Sequence, residues 1–265
     1  MTFKNLKLES PDCGVNGIRV LRISRPAALN ALNTETLGEL KQALQDVAQD
    51  ASVRVVVLTG DGEKAFIAGA DIAEMKDKDT GAGVLFAQLG QEVTKLLELL
   101  PQPTIAAVNG FALGGGTEMA IACDFIVASD RAVFGQPEVG LGIIPGFGAT
   151  VRLAKFVGGP MAKELIFSGR RIKADEAKQL GLVNHVYPAA EFMPQVLELA
   201  KSIAVHSASA VQRSKELLNE FSESVGLHHK LDAEAHAFGR LFGSHDQREG
   251  MTAFVEKRKP QFQGL

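Results

Sequence analysis

Residues 103–124 read PTIAAVNGFALGGGTEMAIACD. The run 104–108 is apolar, too short for a typical helix, and bounded by Pro103 and by Asn109-Gly110, so it reads as a buried strand. A loop follows, then Gly114-Gly115-Gly116, then a segment of helix-forming composition, residues 117–123. The glycines therefore stand where a strand turns into a helix, and glycine lets a ligand approach the main chain closely. The first N–H groups of a helix lack internal partners and carry the positive end of its dipole, which suits them to binding negative charge. Glu118 lies three residues after Gly115, on the same side of the first helical turn. A backbone donor and a carboxylate facing one point form a catalytic arrangement wherever substrate can reach it.

Outward from this stretch, strands alternate with helices. Residues 17–24 alternate apolar and polar as a strand does, and Asn33-Thr34 offers a cap for an amphipathic helix over 36–48. Residues 54–59 (RVVVLT) read as a strand inside a parallel sheet covered on both faces. Asp71 and Glu74 have capping-box spacing, so a helix is expected near Ile72, with Gly69-Ala70 as the turn before it. Gly81-Ala82-Gly83 reads as a flexible loop before a long helix over 84–100. After the central stretch come a strand at 125–129 and a turn-rich segment, 131–142, that holds Glu138. A helix is expected from Pro145 to Phe156, followed by helices at 161–168 and 173–181 and a strand at 182–186. From Ala189 the pattern is helical only: 191–205, 208–223, 227–241 and 246–256. The whole implies an α/β core with a helical C-terminal module.

Composition narrows the function classes. The chain has 265 residues, 46% of them hydrophobic and 22% charged, as in a globular protein with a large core. A formal charge of −3 offers no global attraction to nucleic acid or to an anionic membrane, so neither is expected as a partner. Cys13 and Cys123 fit no metal spacing and read as reduced thiols. His185, His206, His228, His229, His236 and His245 are scattered, so no metal site is expected. Residues 1–10 resemble neither a signal nor a transit peptide, and the most apolar window, 105–127, is interrupted by Asn109, Glu118 and Asp124. The cytoplasm is the expected location.

Four chemistries compete for the central stretch. Gly110 to Thr117 nearly fits a phosphate loop, but Gly116 occupies the position of the lysine that would carry the phosphate charge. No G-x-G-x-x-G opens a helix, which rejects a dinucleotide fold, and no G-x-S-x-G elbow supports a serine hydrolase. The fourth is an oxyanion hole with acid–base carboxylates: Gly115 N–H as donor, Glu118 beside it and Glu138 further on. Two glutamates brought together in an apolar pocket can be driven to different pKa values and so divide acid and base roles.

Three segments, PTIAAVNGFALGGGTEMAIACD, FGQPEVGLGIIPGFGAT and KAFIAGADIAEM, closely resemble the crotonase (enoyl-CoA hydratase/isomerase) superfamily, its short-chain enoyl-CoA hydratases in particular. The C-terminal REGMTAFVEKRKPQF is similar to that subgroup as well, so the resemblance spans nearly the whole chain. It implies an α/β crotonase-like spiral of ββα units over residues 1–190. A helical C-terminal trimerisation region over 191–265 would build a homohexamer, a dimer of trimers.

The resemblance also implies site residues. The N–H groups of Ala70 and Gly115 would form the oxyanion hole on a thioester carbonyl. Glu118, mainly as base, and Glu138, mainly as acid, would add water across the double bond of a trans-2-enoyl-CoA. No metal or redox cofactor is implied, coenzyme A being part of the substrate. Lys64, Ala65, Phe66, Ala68 and Ile72 match the stretch that lines the adenine end in relatives; Phe238 and Lys257 match positions that approach the CoA from a neighbouring subunit. Relatives commonly read PGFGGTQRL where this chain has PGFGATVRL, with Ala149 and Val151. Residues 77–89 fall where relatives set acyl-chain preference.

Overall fold

The computed structural model describes residues 3–220, 226–242 and 244–264. In chain order the first half contains β1 (Leu6–Glu9), β2 (Ile18–Ile23), α1 (Thr34–Gln49), β3 (Val55–Gly60), β4 (Ala65–Ile67), the one-turn α2 (Ile72–Met75), α3 (Thr80–Leu99), β5 (Thr104–Val108), β6 (Phe111–Leu113) and α4 (Gly115–Ala122). The second half contains β7 (Phe125–Ser129), β8 (Val133–Gly135), a 3-10 turn (Pro137–Leu141), α5 (Ala149–Val157), α6 (Gly159–Ser168), β9 (Arg171–Lys173), α7 (Ala174–Gln179) and β10 (His185–Tyr187). Four helices follow: α8 (Phe192–Ala204), α9 (Ala208–Glu220), α10 (Leu227–Leu241) and α11 (His245–Val255).

The long apolar runs form one six-stranded sheet, ordered β1-β2-β3-β5-β7-β10 and parallel except for β1. Every residue of β3 and β5 is buried, as continuous apolar strands between two covered faces must be. One face packs on α1, whose Leu37, Leu40, Ala43, Leu44 and Val47 all enter the main core. Burying each such leucine contributes about 2 kcal/mol. On the other face Phe192, Val196, Ala200 and Ala204 of α8 close a second cluster over Val20, Val57, Ile105 and Val127.

A second, four-stranded sheet runs β4-β6-β8-β9. Its strands have three residues each, too short to show a period, and the sequence pattern marks none of them as a strand. They explain the spiral. β3, β5 and β7 each leave the large sheet, cross to β4, β6 or β8 in the small one, and return through helix, so the repeating unit is strand–strand–helix. The mixed α/β class and the helical C-terminal region agree with the expectation.

Three local readings are corrected. β1 was not anticipated; it pairs along β2 from Leu6↔Ile23 to Glu9↔Val20. Gly81 and Gly83 are helical, because Asp79 caps α3 by accepting from Ala82 N at 2.8 Å. α5 begins at Ala149 and not at Pro145, because Gly148 holds φ +120°, a conformation that interrupts a helix. The expected helix over 208–223 is found to Glu220; its last three residues lie outside the described ones.

One buried ion pair joins the C-terminal helices to the central stretch. Lys215 on α9, 8% exposed, reaches Asp124 at 2.8 Å and Gln102 O at 3.0 Å. Asp124 accepts from Thr104 N at 2.6 Å and so pins the turn between α4 and β7 to the start of β5. Removing one partner of such a pair leaves a desolvated charge. Lys215→Ala is therefore expected to lower unfolding stability by about 3 kcal/mol, read as a shift in the urea midpoint.

Candidate active site

Parallel pairing of β4 with β6 aligns Ala65 with Phe111 and Ile67 with Ala112. The chains leaving the two strands, 68–70 and 113–115, run side by side, and a Cβ on Gly69 would stand 3.5 Å from Leu113 O. The first segment is fixed by a parallel bridge between Leu32 and Ala70. Leu32 N donates to Gly69 O and Asp71 N donates to Leu32 O, at 2.9 and 2.8 Å. In an extended chain alternate peptide groups point to opposite sides, so the N–H of Ala70 itself faces away from Leu32. Gly115 is the first residue of α4, and its N–H is one of the orphan donors of the helix start.

Each of the three glycines meets a different neighbour. Gly114 has φ +50°, and a Cβ there would stand 2.5 Å from Glu138 Oε1. A Cβ on Gly115 would press on the Phe147 ring at 3.1 Å, and one on Gly116 would overlap Ile67 O at 2.0 Å. The cluster seats α4 against β4 while leaving Glu138 room beside its first turn.

Glu118 is 2% exposed. Its Oε1 accepts from Phe147 N at 2.8 Å and Ala149 N at 2.9 Å. Burial raises its pKa above the ordinary carboxylate value; the Ala149, Phe147 and Gly148 N–H groups and the Arg152 charge hold that rise back. Ala149 takes part through its backbone, so its methyl side chain leaves the donor in place. Glu138 sits in the 3-10 turn, 8% exposed, and its pKa is pushed up to about 7 by burial and, to a lesser extent, by the charge of Glu118. Two neighbouring carboxylates thus have different environments: Glu118 is equipped to carry a charge, and Glu138 to hold a proton near neutral pH.

Sequence reasoning missed two parts of this site. Gln136, 1% exposed, satisfies its network when its NH2 faces Glu138, whose two oxygens are then each 3.0 Å away. Its only sequence signal is its place two residues before Glu138. The sequence pattern predicts helix across the turn 147–149, although the positive φ its Gly148 adopts is a conformation glycine accepts readily.

The residues expected to meet coenzyme A fall into three groups. Ala65 and Phe66 lie in β4 and are buried. Lys64 and Ile72 are exposed and Ala68 is half-buried, all flanking the Ala70 turn. Phe238 stacks edge-on with Phe242 at 4.9 Å on α10, which packs on α9, and Lys257 follows α11. Both belong to the C-terminal helices, not to the elements around Glu118 and Glu138. Among the described residues no group of three or more His, Cys, Asp or Glu could hold a metal, and no helix is long and apolar enough to cross a membrane. The buried Cys123 thiol, pushed up to about 12 mainly by desolvation, stays protonated and is no nucleophile.

The chain is similar to known proteins along its whole length. A short-chain-enoyl-CoA hydratase of Clostridium acetobutylicum is 51% identical over 242 residues, 91% of this chain and 92% of that one. A crotonyl-CoA hydratase of Syntrophomonas wolfei is 47% identical over 262 residues, 99% of each. The crystal structure of an enoyl-CoA hydratase from Bacillus anthracis superposes with a TM-score of 0.94 at 39% identity, covering 99% of this chain and all of that one. The family model described as enoyl-CoA hydratase/isomerase matches residues 14–265, and the chain belongs to that family.

Proposed function

We propose that this protein is an enoyl-CoA hydratase, adding water reversibly to a short trans-2-enoyl-CoA to give the 3-hydroxyacyl-CoA. The observation that carries the reading is the pair of buried carboxylates in unlike environments beside the start of α4. The similarity to hydratases along the whole chain supports it. In this reading the N–H groups of Ala70 and Gly115 receive the thioester carbonyl and draw electron density from the β-carbon. Glu118 accepts a proton from water as its oxygen bonds to that carbon. Charge collects on the carbonyl oxygen as an enolate, and Glu138 gives its proton to the α-carbon. Each fixed donor to such an oxyanion contributes about 3 kcal/mol to lowering the barrier. Glu118 ends the step with water's proton and Glu138 without its own, and a proton passing from Glu118 to Glu138 through solvent resets the pair; no electrons are gained or lost, so the residues need no metal or redox cofactor, and CoA enters as part of the substrate.

The same reading makes residues 1–190 the catalytic core and 191–265 the region through which trimers and a homohexamer assemble, in the cytoplasm. The exposed Phe238, Phe242 and Phe254 on α10 and α11 support an assembly role for these helices. Phe238 and Lys257 would then reach the CoA of a neighbouring subunit.

Incubation with crotonyl-CoA tests the activity: absorbance of the conjugated enoyl thioester should fall as 3-hydroxybutyryl-CoA forms. A folded protein that leaves every enoyl-CoA chain length unchanged overturns the proposal. A pH profile tests the division of roles. Glu138 donates only when protonated, and its raised pKa of about 7 keeps it so on the acid side. In the hydration direction kcat/KM is therefore expected to decline as pH rises through about 7, with an acid limb set by ionisation of Glu118.

A further inference from the structure

Gly90, Thr94 and Glu98 are spaced four residues apart and so lie along one face of α3. Gly90 and Thr94 meet the turn that holds Glu118, and Glu98 meets Arg152 in the helix that follows it. A Cβ on Gly90 would overlap the Phe147 ring at 2.1 Å, so the ring is seated in the notch that this glycine leaves, with Phe86 5.5 Å away between ring centroids. Thr94 is fully buried, and its Oγ1 donates to Phe147 O at 3.0 Å. Arg152 donates to Thr94 Oγ1 and to Phe147 O, both at 3.3 Å, and through Nε and Nη2 to Glu98 Oε2 at 3.0 and 2.7 Å. Ring, carbonyl and following helix of the 147–149 turn are thus each tied to α3.

We propose that this face of α3 is a positioning device: Gly90, Thr94 and the Glu98–Arg152 pair fix the 147–149 turn so that its N–H groups converge on the Glu118 carboxylate. None of the α3 residues is assigned any contact with the reacting atoms. They act on catalysis through how well Glu118 is held as an anion, and the inference rests on the assignment of Glu118 as the base. The charged groups facing Glu118 are Arg152 on α5, which favours its ionised form, and Glu138 in the 3-10 turn, which opposes it; Glu98 stands behind Arg152. Loosening the turn weakens hydrogen bonds to the charged form and leaves the burial in place, so the carboxyl must become harder to ionise.

The test is Thr94→Val, which keeps the volume and removes the hydroxyl, with Thr94→Ser as the conservative variant and Gly90→Ala as a second lesion of the same turn. In Thr94→Val and Gly90→Ala the acid limb of the kcat/KM profile for crotonyl-CoA should move up by about one pH unit. Thr94→Ser should restore it. A loss of packing alone would lower the profile without moving the limb. The Glu118 carboxylate is also titrated by infrared difference spectroscopy, its band identified by its absence in Glu118→Gln. It should shift upward in the same two variants. If limb and band both stay in place in folded Thr94→Val and Gly90→Ala, the inference is wrong. If Glu118→Gln retains full activity, the base assignment fails, while the infrared titration still decides whether α3 positions this carboxylate.

Discussion

Glu118→Gln is expected to lower kcat for crotonyl-CoA hydration about a thousandfold, and Glu138→Gln to lower it to a similar extent, within the range that general acid–base groups supply. The loss should be chemical and not structural. Both hydrogen bonds from Phe147 N and Ala149 N end on the same oxygen, Oε1, so a glutamine can place its amide oxygen there and keep both. What it cannot do is take a proton from water. Stability should therefore change little while turnover collapses, and thermal melting beside the absorbance assay separates the two effects. The second substitution probes the other end of the proton path, since a glutamine at 138 has no acidic proton to give. Full activity in either variant removes that residue from its assigned role.

Gly116→Ala is expected to have the largest effect on stability of any glycine substitution in the central stretch, a loss of about 3 kcal/mol or more. The added methyl would stand 2.0 Å from Ile67 O and 2.9 Å from Ile67 C. These are main-chain atoms of β4, which is paired with β6, so relief requires moving α4 off the small sheet or breaking the strand pairing. A flexible side chain could yield; this carbonyl cannot. Gly83→Ala is the control. Gly83 is also helical but has open space around its Cβ, so there the change should be neutral or stabilise by up to about 1 kcal/mol. Urea midpoints measure both. An undiminished midpoint for Gly116→Ala would show that the contact between α4 and β4 is not tight.

These two results concern features that the sequence revealed to different degrees. The strand at 104–108 and the helix after the glycines were legible because an apolar run bounded by Pro103 and Asn109-Gly110 permits little else. The inner strands β2, β3 and β7 of the six-stranded sheet were legible for the same reason, being five or six residues long, whereas the short edge strand β1 was not. The small sheet was not: three residues carry no period, and their strand character comes from pairing with segments far along the chain. Glu118 could be singled out by its spacing from Gly115. That Glu138 lies close enough for Glu118 to raise its pKa could not be read from a separation of twenty positions; the resemblance supplied it and the fold explains it. The 147–149 turn was hidden because Pro145 mimics a helix start, while Gly148 sets the real start at Ala149.

In the proposed function the oxyanion donors are main-chain N–H groups, at Ala70 and Gly115, and this has an evolutionary consequence. A side chain can be exchanged by one codon, but a peptide N–H survives every substitution except proline. Drift at positions 118 and 138 would abolish or redirect the handling of protons while leaving the grip on a carbonyl oxygen intact. In that proposal the fold separates a durable function, polarising a thioester, from a replaceable one, choosing where protons go. New reactions on this scaffold are reached most easily by rewriting the acids.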